Sequence, residues 1–265
     1  MLAYDRSGSG PPLVLLHPLG ADRRVWRPVI PGLTAQRDVI AVDLPGFGDS
    51  PALSGDDASP RALAAAVARF LADDLGLAAP PHVAGNSLGG WVALELALSG
   101  AAASVVAIAP AGLWERPLAP KPELARSVAR ALGPVAGAAM RVPSLRRAAL
   151  AGSVGHPDRV PPRDAAALID AYGSAPGFTA ANRAMRAGTF GGLNAITVPV
   201  TLAWPERDRL IARPHAVPPR VRQVDLPGCG HIPMWDDPAA VAAVLLAGSE
   251  PDRAGGAGEV VRAER

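Results

Sequence analysis

The stretch HVAGNSLGGWVALELAL, residues 82 to 98, constrains the fold more than any other part of the chain. An apolar run stops at Gly85 and an apolar helical pattern begins just past Ser87, so a strand must turn directly into a helix. So tight a bend forces its central residue toward an unfavourable backbone conformation, and its surroundings must then be small. Gly85 and Gly89, two residues before and two after Ser87, remove the side chains that would collide there. Ser87 is therefore expected at the carboxyl end of its strand, above a sheet.

The rest of the chain repeats the alternation of short apolar runs with longer stretches of helical period, which is the pattern of an α/β sheet. PLVLLHPLG (12 to 20) reads as a buried strand ending at a turn, and RDVIAVDLPGFGDS (37 to 50) as a strand to Asp43 with a glycine-rich loop beyond. SPRALAAAVARFLADDLGL (59 to 77) opens with Ser59 as N-cap and Pro60 at the first helical position, and its period predicts a helix. The strand HVAGN, a helix over Leu88 to Leu98 and a strand SVVAIAPAG (104 to 112) follow. From Leu113 to about Asn194 arginines, prolines and short amphipathic pieces replace this pattern; the span is too long for a simple crossover and reads as a helical insertion above the sheet. ITVPVTLAWPERD (196 to 208) restores a strand, VRQVDLPGCGHIPMW (221 to 235) supplies the last strand and a loop, and Asp236, Asp237 and Pro238 announce a final helix to about Ala247. The organisation expected is a core in two parts, 1–112 and 195–248, a helical lid over 113–194, and a disordered tail over 249–265.

Composition narrows the function. Of 265 residues 49% are apolar, enough for a full core. Cys229 is the single cysteine, so no internal disulfide can form; the chain suits a reducing compartment, and Cys229 itself reads as a small apolar loop residue. The net charge is only +2, acids are interspersed with arginines and aromatics make up 4%, which argues against nucleic acid. No apolar run approaches the roughly 20 residues of a membrane span, and MLAYDRSGSGPP lacks a secretion signal's pattern. A cytoplasmic protein without a membrane partner, monomeric or homodimeric, is expected. Neither a metal-ligand cluster nor a dinucleotide fingerprint nor a P-loop occurs, so no metal and no cofactor are expected.

A glycine-flanked serine at a strand-to-helix bend has the form of a nucleophile elbow, G-x-S-x-G, at a helix N-terminus that favours a developing oxyanion. A serine hydroxyl is a poor nucleophile at neutral pH unless a base takes its proton. Five histidines compete: His17, His82, His156, His215 and His231. His82 opens the strand that leads to the elbow and belongs at its far end, while His156 and His215 sit in proline-flanked surface stretches. His17 is followed directly by Pro18 and Leu19 and reads as a hydrogen-bonded strut for that turn. His231, in the glycine loop PGCGHIP after the last strand, can reach over the sheet's carboxyl edge. The base needs a carboxylate that fixes its tautomer; Asp208 in LAWPERDRLI supplies one, with Glu206 as competitor. Asp43 precedes the serine and reads as structural.

Four blocks in order, LLHPLG, DLPGFGDS, GNSLGG and the pair WPERD and GCGH, make the chain resemble the α/β-hydrolase fold superfamily over nearly all of residues 2 to 248. The resemblance implies a mostly parallel central sheet flanked by helices, with a helical lid and without the family's first strand. It implies Ser87 as nucleophile, Asp208 as acid and His231 as base, in the family's order. An oxyanion hole from the backbone N–H groups of Leu19 and Leu88 is implied as well, with His17, Gly85 and Gly89 in support. Members usually carry His-Gly where this chain has His17-Pro18; proline has no N–H, but the expected donor is Leu19.

The expected reaction is hydrolysis of an ester, lactone or enol-lactone of modest size through an acyl-enzyme. Relatives that open epoxides or displace halide use an aspartate at the elbow, where this chain has Ser87. Ring-fission carbon–carbon hydrolases carry a glycine-rich turn and a tryptophan where this chain has Pro18-Leu19 and Ile232. An acyltransferase or perhydrolase would use the same triad, and a non-catalytic ligand-binding module on this fold would have lost part of it. Glu115 to Gly192 holds eleven basic and five acidic residues, which could draw in anionic substrates or simply form a solvated arginine-rich face.

Overall fold

A computed structural model of the protein describes residues 1–55, 57–119 and 124–250. The expected disordered tail lies outside the described residues from 251 onward. Seven strands form one sheet: β1 (Tyr4–Gly8), β2 (Pro12–Leu16), β3 (Asp38–Val42), β4 (His82–Asn86), β5 (Ser104–Ile108), β6 (Val200–Pro205) and β7 (Arg222–Leu226). Their order across the sheet is β1-β3-β2-β4-β5-β6-β7, parallel throughout except for β1, which runs antiparallel to β3 from Tyr4 opposite Val42 to Gly8 opposite Asp38.

The inner parallel strands are apolar on both sides because both faces are covered, while the edge strand β7, RQVDL, is largely exposed. In β2 and β3 the side chains divide by twos: Val14, Leu16, Ile40 and Val42 enter the core on one face, and Leu13, Leu15, Val39 and Ala41 the core on the other. Helices α1 (Pro60–Arg69) and α2 (Leu88–Leu98) cover the first face; α7 (Pro238–Gly248) and the short turns around Val25, Trp26 and Leu33 cover the second. Nearly every side chain of α2 is apolar because the helix is enclosed by sheet, α1 and the insertion.

Local chemistry accounts for the helix ends. Ser59 Oγ accepts from Ala62 N at 3.2 Å with Pro60 in the first turn, as the sequence suggests. The helix does not continue evenly to residue 77, however: from Phe70 to Asp74 it widens into a π-turn that closes with Leu75 N–H donating to the Phe70 carbonyl. Asp237 alone caps α7, through Ala240 N at 2.9 Å; its neighbour Asp236 faces elsewhere. Two strands are shorter than their apolar runs, since β5 ends at Ile108 and β6 starts at Val200. The edge strand β1 has no apolar alternation to announce it. Four of its five residues are exposed, and it is held by its ladder to β3 and by Arg6 on Asp38 at 2.6 Å.

Between β5 and β6 lie four helices, α3 (Leu124–Ala139), α4 (Pro143–Leu150), α5 (Pro162–Ser174) and α6 (Phe178–Ala187). They rest on the loops at the carboxyl edge of the sheet. Gly177 N–H donates to the Gly46 carbonyl at 2.8 Å, the Tyr172 and Phe178 rings lie against Gly20, and Ala175, Phe178, Ala181 and Met185 join the core of Leu44, Phe47 and Leu88. Two of the insertion's arginines are buried, Arg126 on the Ala175 carbonyl and Arg146 on that of Met140; Arg130 and Arg186 also bond backbone, to Gly173 and Ala119, and most of the others are exposed. Part of the positive charge counted in this segment thus ties its own backbone together, and the rest is a solvated face.

Candidate active site

The strand order reverses between β2 and β4, and open α/β sheets form a crevice outside the carboxyl ends of such strands. The loop after β2 brings His17, Pro18 and Leu19 there, and the bend after β4 brings Ser87. Ser87 has φ 55° and ψ −113°, and only Ala109 shares a positive φ among the described non-glycine residues. The strain is stabilised by its surroundings: Ser87 N–H donates to the Ile108 carbonyl at 2.9 Å, and the Ser87 carbonyl accepts from Trp91 and Ala111, each at 3.0 Å. A Cβ on Gly85 would stand 2.1 Å from the Gly89 carbonyl oxygen, and one on Gly89 2.3 Å from that of Leu16. Both contacts are with backbone that cannot move aside, so strand, bend and helix can be this close only with glycine at both places.

His231 reaches the same edge from the loop after β7. Its Nδ1 lies 2.7 Å from Asp208 Oδ2, and the two side chains are about 6% and 5% exposed. The other carboxylate oxygen of Asp208 accepts from the N–H groups of Leu210 at 2.7 Å and Ile211 at 3.1 Å, so the acid is oriented before it meets the imidazole. Glu206, the competitor, is exposed and accepts instead from Gly228 N–H at 2.7 Å. With Nδ1 on the carboxylate, His231 has Nε2 left for a neighbouring hydroxyl, and Ser87 is itself only 6% exposed.

The Leu19 and Leu88 amides have no protein acceptor among the described residues. Leu88 is the first residue of α2, where helices leave their N–H groups unpaired. The turn carrying Leu19 is fixed by His17, whose Nδ1 bonds the Pro18 carbonyl at 2.9 Å while Leu44 N–H donates to its Nε2 at 2.9 Å. That pairing requires a neutral ring with its proton on Nδ1, and full burial accordingly pulls the His17 pKa below its ordinary value.

A family model for the alpha/beta hydrolase family matches residues 13–244. The chain belongs to the alpha/beta hydrolase family. It is 43% identical over 98 residues to a pimeloyl-(acyl-carrier protein) methyl ester esterase of Aeromonas hydrophila, a match that covers 37% of this chain and 36% of that protein, so the chain spans about a third of the length of this relative. It is 33% identical over 180 residues to the epoxide hydrolase EphH of Mycobacterium tuberculosis, covering 62% of this chain and 83% of the relative. Among solved structures, the enol-lactonase of Burkholderia xenovorans superposes with a TM-score of 0.69 at 22% identity, covering 93% of this chain and 95% of that one. A thermophilic esterase of Thermogutta terrifontis gives 0.69 at 23%, covering 93% and 92%. At such identities these two likenesses speak for the fold.

In this alpha/beta hydrolase the remaining candidates have other partners than the His231–Asp208 pair. Asp43 is fully buried and accepts from Arg23 N–H at 2.7 Å and Asp49 N–H at 2.9 Å, with the Arg23 guanidinium closing the pair. His82 bonds Ser104 Oγ at 2.8 Å at the far end of β4, and His215 is exposed. Burial, together with Asp236 and Asp237, pushes the Cys229 thiol up to about 12, far from the thiolate that could rival a serine. His156 departs from the sequence reading: it is half-buried, and its N–H donates to Asp236 at 2.6 Å beside the histidine loop. Asp236, which the cap pattern claims, instead accepts from Gly155, His156 and Gly230 N–H groups beside His231. Among the described residues no group of three or more His, Cys, Asp or Glu side chains could hold a metal ion, and no helix is long and apolar enough to cross a membrane.

Proposed function

We propose that this alpha/beta hydrolase cleaves a carboxylic ester, lactone or related acyl bond of a small molecule through an acyl-enzyme on Ser87. The observation that carries the reading is the 2.7 Å pairing of His231 Nδ1 with Asp208 at the edge where Ser87 is held at φ 55°. His231 Nε2 takes the Ser87 proton as Oγ attacks the carbonyl carbon. The oxyanion that forms is met by the Leu19 and Leu88 N–H groups, at about 3 kcal/mol per donor. Collapse of the tetrahedral species expels the alkoxide, which receives the proton from His231. Water, deprotonated by the same histidine, then repeats the sequence and frees the acid and Ser87. Asp208 keeps the imidazole in the required tautomer and stabilises its cation.

The relative EphH raises epoxide opening as a second reading, and the residue at the bend opposes it. A carboxylate that attacks an epoxide carbon yields an ester, which water can hydrolyse at its carbonyl. A serine doing so would yield an ether, with no carbonyl for water to attack. We read helices α3–α6 as a lid, because their residues pack on the loops that carry Leu19 and Gly46 and shape what reaches Ser87. The likeness to a methyl ester esterase supports an ester or related acyl bond.

The test is hydrolysis of short p-nitrophenyl esters, lactones of graded length and an epoxide, with labelling by a fluorophosphonate probe. Wild type is expected to hydrolyse the acyl substrates and to be labelled; Ser87→Ala should do neither while keeping its circular dichroism. Labelling that survives in Ser87→Ala, or epoxide turnover without ester turnover, removes the proposal. Added alcohol or peroxide that diverts the acyl group would assign transfer in place of hydrolysis.

A further inference from the structure

Three consecutive residues of the histidine loop are each held from a different direction. Gly230 N–H donates to Asp236 Oδ2 at 2.7 Å, the His231 carbonyl accepts from Asn86 Nδ2 at 3.0 Å, and Ile232 N–H donates to the Ser153 carbonyl at 2.7 Å. Asn86 belongs to the elbow and Ser153 to the insertion. Asp236 binds the insertion as well: Oδ2 also accepts from Gly155 N–H at 2.8 Å and Oδ1 from His156 N–H at 2.6 Å. The Arg159 guanidinium closes on its main-chain carbonyl. The residue is about 1% exposed, so solvent does not stand in for any of these donors.

The backbones on either side touch. A Cβ on Gly155 would lie 2.8 Å from Gly230 N, and one on Gly230 would lie 2.4 Å from Gly155 N. One buried carboxylate thus gathers three N–H groups, two from the insertion and one from the residue before His231. Only a carboxylate suits the place. Asparagine offers one oxygen and one amino group, so in either orientation it turns a donor toward at least one N–H and leaves that N–H buried without an acceptor.

We infer that Asp236 is a positioning residue that couples the helical insertion to His231, so that the base is aligned toward Ser87 while the insertion is docked. The inference rests on the proposed triad. It does not require Asp236 to touch substrate; the residue acts through the backbone of Gly230, and a displacement of His231 on the order of 1 Å costs about 100-fold in rate.

Two variants test it from opposite sides. Asp236→Asn removes the charge and one acceptor, and Gly155→Ala leaves the carboxylate in place but pushes the insertion away from Gly230. Each is assayed well below its own Tm for kcat and KM on a short p-nitrophenyl ester. The low-field proton resonance of the His231–Asp208 hydrogen bond is recorded beside it. In both, kcat is expected to fall about tenfold or more with KM within about threefold, and the resonance to broaden or vanish. A lowered Tm with wild-type kcat and resonance in either folded variant overturns the coupling, as does a raised KM with kcat unchanged. Should Asp236→Asn fail to fold, Gly155→Ala decides by the same readouts. Ser87→Ala and His231→Ala run in parallel: activity retained there defeats the triad itself, whereas activity lost there but kept in the two test variants defeats the coupling alone.

Discussion

Ser87 sits in a bend written in contiguous residues and braced by the backbone of Ile108, Ala111 and Leu16, whereas His231 is placed by side chains 23 and 145 residues away, Asp208 and Asn86. The elbow is a matter of local sterics. Two glycines admit backbone contacts at which a Cβ would stand 2.1 and 2.3 Å from carbonyl oxygens, and the bend follows from the strand and helix that meet there. The histidine loop has glycines too, at Gly228 and Gly230, but they leave it a choice of paths. Its path is chosen by hydrogen bonds with the elbow, with the loop after β6 and with the insertion. Two side chains that must meet at one edge are thus specified in different ways, and substitutions should separate them.

The largest expected effect breaks the comparison on the histidine side. Asp208→Asn should lower kcat by about 10⁴-fold, since an amide no longer fixes the tautomer that leaves Nε2 free, while Glu206→Gln should stay within about threefold. If the Glu206 change is the crippling one, the acid has been misassigned. On the elbow side, Gly89→Ala should cost activity and fold together, because the added methyl meets the Leu16 backbone. Overpacking of this kind costs about 1 to 3 kcal/mol, and the denaturant midpoint and probe labelling should fall in step. Loss of activity at unchanged stability would mean that the elbow is less locally determined than its geometry suggests.

Asn86→Ala lies between the two regions. It leaves the His231 carbonyl without the Asn86 donor and the Ile108 carbonyl with Ser87 N–H alone, and about a tenfold loss in kcat is expected with an intact elbow, as judged by circular dichroism and a modest fall in Tm. Wild-type kcat in Asn86→Ala would show that the remaining ties suffice. The smallest effect concerns the turn carrying Leu19. Burial lowers the His17 pKa, so the folded protein keeps this ring neutral while the unfolded chain takes up a proton near the ordinary value of 6.5. The stability it contributes is present above about pH 6.5 and is lost as pH falls toward the depressed folded value, by at most about 1.4 kcal/mol per pH unit. Tm should therefore decline from pH 7 to pH 5, and less steeply in His17→Gln; equal slopes would mean that the ring is not the group responsible. His82, lowered by burial and by Arg37, acts in the same direction.

The alternation of strands and helices and the bend at Ser87 were legible along the chain, because each is written in contiguous residues; the roles of Asp208 and His231 came from the family resemblance. Buried parallel strands are apolar runs, and a steric bend requires glycines at fixed offsets. The exposed edge strand β1 was not legible, since it is held by hydrogen bonds to β3 and has no apolar face to bury. The π-turn at Phe70–Asp74 departs from a helical period that looks unbroken in one dimension. Asp236 was read as part of a helix cap because it sits beside Asp237, which does cap; only the packed chain brings Gly155 and His156 to its carboxylate. The insertion's arginines were counted as charge, and whether they face solvent or their own backbone depends on where carbonyls end up.

The sequence by itself determined which side chains carry reactive groups and where the elbow must bend, for a strand that turns straight into a helix needs small residues at fixed offsets from Ser87. The tertiary structure alone decided that Asp208 and not Glu206 meets His231, and that Asp236 joins the insertion to the loop beside it. Such pairings span long stretches of chain, and nothing local distinguishes one carboxylate from its neighbour until folding removes water and leaves each buried N–H a single acceptor within reach.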